Sequence, residues 1–273
     1  MPRHLEQLGF VTITQNSDTD YLNMAYAQAL SIKHTQKTNR YAVIVDTETL
    51  KQVTDKHRQV FDYVIELPQD LAKQQSWKLA NEWQVHNLTP FKETIKVEAD
   101  ILFTRSIDHW INAFRLRDIV LSLGCLDHQH RPSTSRAYRK QFDKLSLPDV
   151  YSGLMYFRYT QTSTDFFTIA KQLFLTTPDA TTDQVYAQAA LIVGQEKCTL
   201  PSCDFIKFVH LKPAINDWIE QDWTKLVHVE IDVPDIRINN QTQFNPVHYQ
   251  TNSFDINKVI QQYERRRTIL AGH

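Results

Sequence analysis

Short apolar runs rich in β-branched residues divide the first hundred positions: Phe10-Val11-Thr12-Ile13-Thr14, Tyr41-Ala42-Val43-Ile44-Val45-Asp46, Tyr63-Val64-Ile65-Glu66-Leu67 and Ile95-Lys96-Val97-Glu98-Ala99-Asp100-Ile101-Leu102-Phe103. Runs of this length read as buried strands. Helical or polar stretches separate them. From about Asp18 to His34 the apolar residues Leu22, Ala25, Tyr26, Ala29 and Leu30 keep helical spacing, and Trp77 to Leu88 does so ahead of Pro90. Alternation of this kind predicts the α/β class, a mostly parallel central sheet with helices on both faces. In such folds ligands sit beyond the carboxyl ends of strands.

The second half is less regular. Strands are expected over Asp118 to Leu123, Gly153 to Tyr159, Phe205 to His210 and Val227 to Val233, and helices over Ser163 to Leu175, Thr182 to Val193, a stretch beginning near Asp217, and Ile256 to Arg267. Asn239-Asn240-Gln241 reads as a polar turn.

At 273 residues, with 42% hydrophobic and 22% charged residues, the chain has the composition of a folded globular protein. A net charge of -1 argues against a constitutively basic surface. No apolar stretch approaches the roughly 20 residues of a membrane span, and Met1-Pro2-Arg3-His4-Leu5 lacks a signal-peptide core, so a cytoplasmic protein without membrane contact is expected. Cys125, Cys198 and Cys203 suit free thiols in a reducing compartment; Cys198, Cys203 and His210 lack the paired spacing of a structural zinc site.

Glycine is scarce, at positions 9, 124, 153, 194 and 272 only. Neither a G-x-G-x-x-G turn nor a G-x-x-x-x-G-K-[ST] loop can be written, which removes the backbone cradles for dinucleotides and triphosphates. A diphosphate bound here would need a metal and cationic side chains.

Glu98 and Asp100, separated by one residue at a strand end, can offer two oxygens to a hard divalent cation. Alone, such a pair is more often two solvated carboxylates. In Phe208-Val209-His210-Leu211-Lys212-Pro213, an imidazole and an ammonium lie close together. An imidazole beside carboxylates suits Mn²⁺, and an ammonium can offset leaving-group charge, although each residue singly is also explained as a core histidine or a loop lysine. In Asp149-Val150-Tyr151-Ser152-Gly153-Leu154-Met155-Tyr156, Gly153 would permit close backbone approach and Ser152 could bond a hydroxyl. In Thr181-Thr182-Asp183-Gln184, a threonine caps a helix and Asp183 falls in its first turn, an adequate structural reason for the acid.

The strand running into Glu98-x-Asp100, with Ala80-Asn81-Glu82-Trp83-Gln84 before it and Arg105-Ser106-Ile107-Asp108-His109-Trp110 after it, resembles phage-encoded GT-A glycosyltransferases. His210-Leu211-Lys212-Pro213 resembles, in contracted form, the downstream element of family-8 nucleotide-sugar glycosyltransferases. The resemblance implies a GT-A catalytic domain over 1–215, its nucleotide-binding part about 1–110 and its donor-sugar and acceptor part about 111–215, with a C-terminal extension, 216–273, packed on it. It implies a metal-dependent hexosyl- or pentosyltransferase using a nucleotide-diphosphate sugar, with UDP as the expected nucleotide. Glu98, Asp100 and His210 would hold Mn²⁺ or Mg²⁺, and Lys212 would meet the diphosphate. Thr14, Gln15, Asn16 and Asp46 would hold the nucleotide, Lys78 a phosphate or sugar, and Ser152 and Gly153 the donor sugar. Asp183 and Gln184 would face the reacting centre. The implied acceptor is hydroxymethylated pyrimidine in phage DNA, met by Arg131, Arg136, Arg139, Lys140 and Arg265-Arg266-Arg267 inside the host cytoplasm. A glycosyltransferase for a small molecule, protein or cell-envelope glycan, or a binding protein that reuses the fold, are the alternatives.

Overall fold

A computed structural model describes residues 6–73, 78–124, 126, 136–177, 179–198, 209–210, 228–249 and 255–271. The chain runs β1 (Glu6–Thr14), α1 (Tyr21–Thr35), β2 (Tyr41–Val45), α2 (Thr47–Leu50), α3 (Asp55–Arg58) and β3 (Tyr63–Glu66). A 3-10 helix (Lys78–Gln84) and α4 (Val85–Leu88) lead into β4 (Phe91–Val97), β5 (Ile101–Leu102), α5 (Asp108–Phe114) and β6 (Ile119–Leu123). Then come α6 (Arg136–Lys144), β7 (Val150–Arg158), α7 (Gln161–Thr176), α8 (Thr182–Val193), α9 (Gln195–Cys198) and β8 (Val209–His210). The last elements are β9 (Val229–Asp232), β10 (Asp235–Ile238), β11 (Gln241–Thr242), β12 (Val247–His248) and α10 (Ile256–Ala271).

Six strands form the central sheet in the order β3-β2-β1-β4-β7-β6. β1, β2, β3 and β4 are parallel, and β7 runs antiparallel to both β4 and β6. The order reverses at β1, which has β2 on one side and β4 on the other, so the carboxyl ends of β1 and β4 flank the crevice where open α/β sheets bind ligands. Two small sheets, β11-β10-β9 and β5-β12-β8, complete the described residues.

Strand alternation divides the core between the two faces. Phe10, Tyr41, Val43, Ile95 and Val97 meet α1 and α10, whose Val259, Ile260 and Tyr263 are buried there. Val11, Ala42, Ile44, Met155 and Phe157 meet Phe166, Phe167, Val185 and Tyr186 of α7 and α8.

β1 and β4 start earlier than the apolar runs suggest because the acids near their amino ends, Glu6 and Glu93, have partners. Glu6 pairs with Arg40 at 2.7 Å and accepts from the Tyr63 hydroxyl. Glu93 receives Arg115 at 2.7 Å, the Tyr156 hydroxyl at 2.8 Å and Gln7 at 2.6 Å. Burial alone would raise the Glu93 pKa, but these bonds hold it below the ordinary value. Of the region expected as one helix from Trp77 to Leu88, Trp77 lies outside the described residues and the rest is a 3-10 helix followed by a short α-helix. There the buried Asn81 side chain bonds Leu71 N, Gln15 and Asp70, tertiary contacts that fix the local backbone.

Gln28 of α1 joins several of these elements. Its Oε1 accepts from Thr12 at 2.6 Å and from the Tyr41 hydroxyl at 2.9 Å, while its Nε2 donates to the carbonyls of Glu98 at 2.5 Å and Ile101 at 2.9 Å. The side chain is fully buried. Gln28→Leu leaves those four groups without this partner, and at roughly 1–3 kcal/mol per buried group left unmet the loss should exceed about 2 kcal/mol. Urea unfolding of the variant should show a lower midpoint with an unchanged slope.

Candidate metal centre

β4 ends at Val97, and the Glu98 amide continues the ladder by one bond to Gly153 O at 2.9 Å. Ala99 and Asp100 then turn the chain into β5, with Gln28 holding the carbonyls on both sides of the turn. β12 pairs antiparallel with β5, His248 opposite Ile101, and Tyr249 N donates to Asp100 O at 3.0 Å. That pairing delivers the His248 imidazole to the acidic turn. Nε2 lies 2.9 Å from Asp100 Oδ2 and 3.6 Å from Glu98 Oε2. One ligand atom from each of Glu98, Asp100 and His248 lies within 4.8 Å of the others. His248 and Asp100 are buried, whereas the Glu98 side chain is 33% exposed, so the cluster opens to solvent on the Glu98 side.

The other imidazole nitrogen, Nδ1, meets the Tyr151 hydroxyl, which also lies 3.5 Å from Glu98 Oε2. Tyr151 is at the start of β7, where pairing with β6 shifts register between Leu121 and Ser122. Its ring lies over Gly153: a Cβ built there would come 2.4 Å from the ring, closer than any real contact. Glycine is thus required because the neighbouring tyrosine occupies the space.

Behind the cluster, Lys96 is fully buried in β4, its Nζ 2.7 Å from Glu82 and 3.4 Å from Ser152 O. The Ser152 amide faces the other way and donates to Asp183 Oδ1 at 2.7 Å, in the first turn of α8. Burial pulls the Lys96 pKa down, but Glu82, Glu98 and Asp183 outweigh it and the net displacement is upward.

No protein-family model matches the chain, and no curated protein matches its sequence. Among solved structures, apo mouse xyloside xylosyltransferase 1 is similar with a TM-score of 0.54 at 9% identity, over 91% of this chain and 99% of that one. The glycosyltransferase GlyE of Streptococcus pneumoniae TIGR4 matches with a TM-score of 0.48 at 7% identity, over 71% of this chain and 45% of that one. The chain has the GT-A fold.

Against that fold, the residues singled out in the sequence separate into groups. Glu98, Ser152 and Asp183 come together around Lys96, Gly153 O accepts from the Glu98 amide, and Asp100 joins Glu98 in the cluster with His248. Gln15, Asn16 and Asp46 lie at the carboxyl ends of β1 and β2, each with protein partners. Gln15 donates to Asp46 at 3.1 Å, Asp46 accepts from Thr49 N as the cap of α2, and Asn16 bonds Asp20, Gln52 and Leu22 N. Thr14 Oγ1 is buried with no hydrogen-bond partner among the described residues. Gln184 forms a capping box with Thr181 and donates to Gln141 at 2.9 Å.

His210 pairs through its backbone in β8 with His248 of β12; its side chain, that of Lys78 and all of Lys212 lie outside the described residues. Sequence reasoning missed His248, Tyr151 and Lys96. The signal for His248 was slight: Val247-His248-Tyr249, a short apolar run after Pro246.

Lys96→Met leaves Glu82 in a largely buried site without its cation, so unfolding free energy should fall by about 3–5 kcal/mol, and adding Glu82→Leu should recover much of it. Because the folded pKa is raised, the lysine's contribution is complete below pH 10.5, the ordinary value, and is lost only as pH rises through the higher folded value. The gap between wild type and variant should therefore be constant through neutral pH in denaturant titrations.

Proposed function

We propose that this chain is a metal-dependent glycosyltransferase that takes a sugar from a nucleotide-diphosphate sugar, UDP-linked in the first instance. The observation that carries the reading is the Glu98, Asp100 and His248 cluster at the carboxyl end of β4, beside the crevice of the sheet. Glu82, Glu98 and Asp183 act on the buried ammonium of Lys96, and Asp100 lies beside Glu98 as a fourth carboxylate. The excess of negative charge favours a divalent cation. Two carboxylates and an imidazole form a donor set for Mn²⁺, with Mg²⁺ as the harder alternative.

Such a cation supplies positive charge for a leaving diphosphate. The chain's own residues do the rest. Gln28 fixes the turn that carries Glu98 and Asp100, the Ser152 amide fixes Asp183, and Lys96 offsets part of the charge of Glu98 and Asp183. Asp183 is the carboxylate proposed to face the donor sugar, with Lys212 proposed to meet the diphosphate.

For the acceptor, hydroxymethylated pyrimidine in phage DNA follows from the sequence resemblance. Several of the basic residues proposed for DNA contact have protein partners: Arg139 pairs with Asp149 at 3.7 Å, Arg266 with Asp232 at 2.9 Å, and Arg267 bonds Gln59 O at 3.1 Å. These pairings, and the near full-length similarity to a xyloside xylosyltransferase, favour a second reading in which the acceptor is a glycoside. No helix among the described residues is long and apolar enough to cross a membrane.

Calorimetric titration with UDP should show binding in Mn²⁺ that is lost in EDTA and in Asp100→Asn. His248→Ala should abolish it, and His210→Ala should reduce it less. Absence of UDP binding in Mn²⁺ as well as in EDTA overturns the UDP assignment. Transfer of radiolabelled sugar to hydroxymethylated DNA and not to a xyloside supports the DNA acceptor; the reverse supports the glycoside. No metal-dependent donor turnover supports a binding protein.

A further inference from the structure

We infer that Tyr151 is a positioning residue that selects which nitrogen of His248 faces a bound cation. The inference rests on the metal centre proposed above and adds a proton relay to it. The buried imidazole is held at both ends: Nδ1 meets the Tyr151 hydroxyl and Nε2 faces Asp100 Oδ2 at 2.9 Å and Glu98 Oε2 at 3.6 Å. A neutral imidazole carries one N–H and one lone pair, and a metal ligand must offer the lone pair.

In the inferred cation-free tautomer the ring proton is on Nε2, which faces Asp100 Oδ2 at 2.9 Å, and Nδ1 accepts from the Tyr151 hydroxyl. With a cation between the carboxylates and the ring, Nε2 must lose its proton. Nε2 gives its proton to solvent and Nδ1 takes one up, so the ring still carries one N–H, now at Nδ1, which donates to the Tyr151 oxygen. The hydroxyl hydrogen turns toward Glu98 Oε2, 3.5 Å away. One ring proton and one phenol proton are present before and after, so the exchange balances with water as the only carrier.

Only a hydroxyl can serve as donor in one arrangement and acceptor in the other. Phenylalanine would fill the same space and leave Nδ1–H of the metal-bound ring unmet in a site that is 1% exposed. Gly153 belongs to the same device, because a side chain there would displace the tyrosine ring.

Mn²⁺ titration of the full chain without nucleotide tests the role, together with ¹⁵N NMR of labelled histidine in Mg²⁺, which reports the tautomer directly. Tyr151→Phe should weaken Mn²⁺ binding about 10–100-fold, and Gly153→Ala should weaken it as well. His248 in the wild type should carry its proton on Nε2 in EDTA and on Nδ1 when Mg²⁺ is bound. A merely structural tyrosine would lower the melting temperature in EDTA and leave metal affinity and tautomer unchanged. Wild-type binding matched by Tyr151→Phe overturns the role of Tyr151 and leaves the metal centre standing. No Mn²⁺ binding by the wild type, or undiminished binding by His248→Ala, overturns the metal centre and the relay with it.

Discussion

One buried side-chain amide sets the position of the candidate site. Gln28 accepts from β1 and β2 through Thr12 and Tyr41, and donates to the carbonyls on both sides of the acidic turn. The turn after β4 therefore does not depend on its own sequence for its shape. It is pinned from α1, and Ser31, one helical turn on, extends the brace by accepting from Phe103 N at 3.1 Å. A buried amide is costly where any of its bonds is unmet, so this arrangement tolerates little displacement of helix against sheet. Rigidity of that kind is what a set of metal ligands requires, because small errors in ligand placement weaken coordination.

Electrostatics then determines what the rigid turn can hold. A lysine in the middle of a buried strand would ordinarily be a defect. Here its ammonium faces Glu82 and lies within the field of Glu98 and Asp183, and the acids prevail over the cost of burial. The same field acts on the phenols nearby. Burial first, then the carboxylates, raises the pKa of Tyr186 and of Tyr249 well above the ordinary value, keeping both protonated. Lys96 neutralises only part of the acidic cluster, and the remainder faces the exposed Glu98 side, the direction from which a cation would arrive.

The sequence made the central strands legible because β-branched runs bounded by polar segments have few other uses, and α8 begins and ends where its capping threonine and glycine place it. It made Glu98 and Asp100 legible for a similar reason, since two acids after an apolar run stand out. What it concealed were features created by partners distant in the chain. The first residues of β1 and β4 look like loop until Arg40 and Arg115 are seen to meet their acids. Gly153 reads as the start of a strand but lies inside β7, where the Tyr151 ring takes the place of a side chain. His248 carries no spacing signal at all, because its relation to Tyr151, 97 positions away, exists only in the folded sheet.

The placement of His248 also joins the last part of the chain to the site. β12 contributes only Val247 and His248 to pairing with β5 and with β8, a backbone join too short to be strong on its own. Buried Val247 and Tyr249 reinforce it, as does packing of α10 against α1 through Val259, Ile260 and Tyr263. A cation shared by the β4 turn and His248 would bind only when this join is made, so its binding free energy would stabilise the docked arrangement. The two carboxylates and the imidazole lie on segments that meet only through tertiary structure. Ligand binding and closure of the small β5-β12-β8 sheet are on this account one equilibrium, and the metal affinity of the site measures how well the carboxyl-terminal segment is seated.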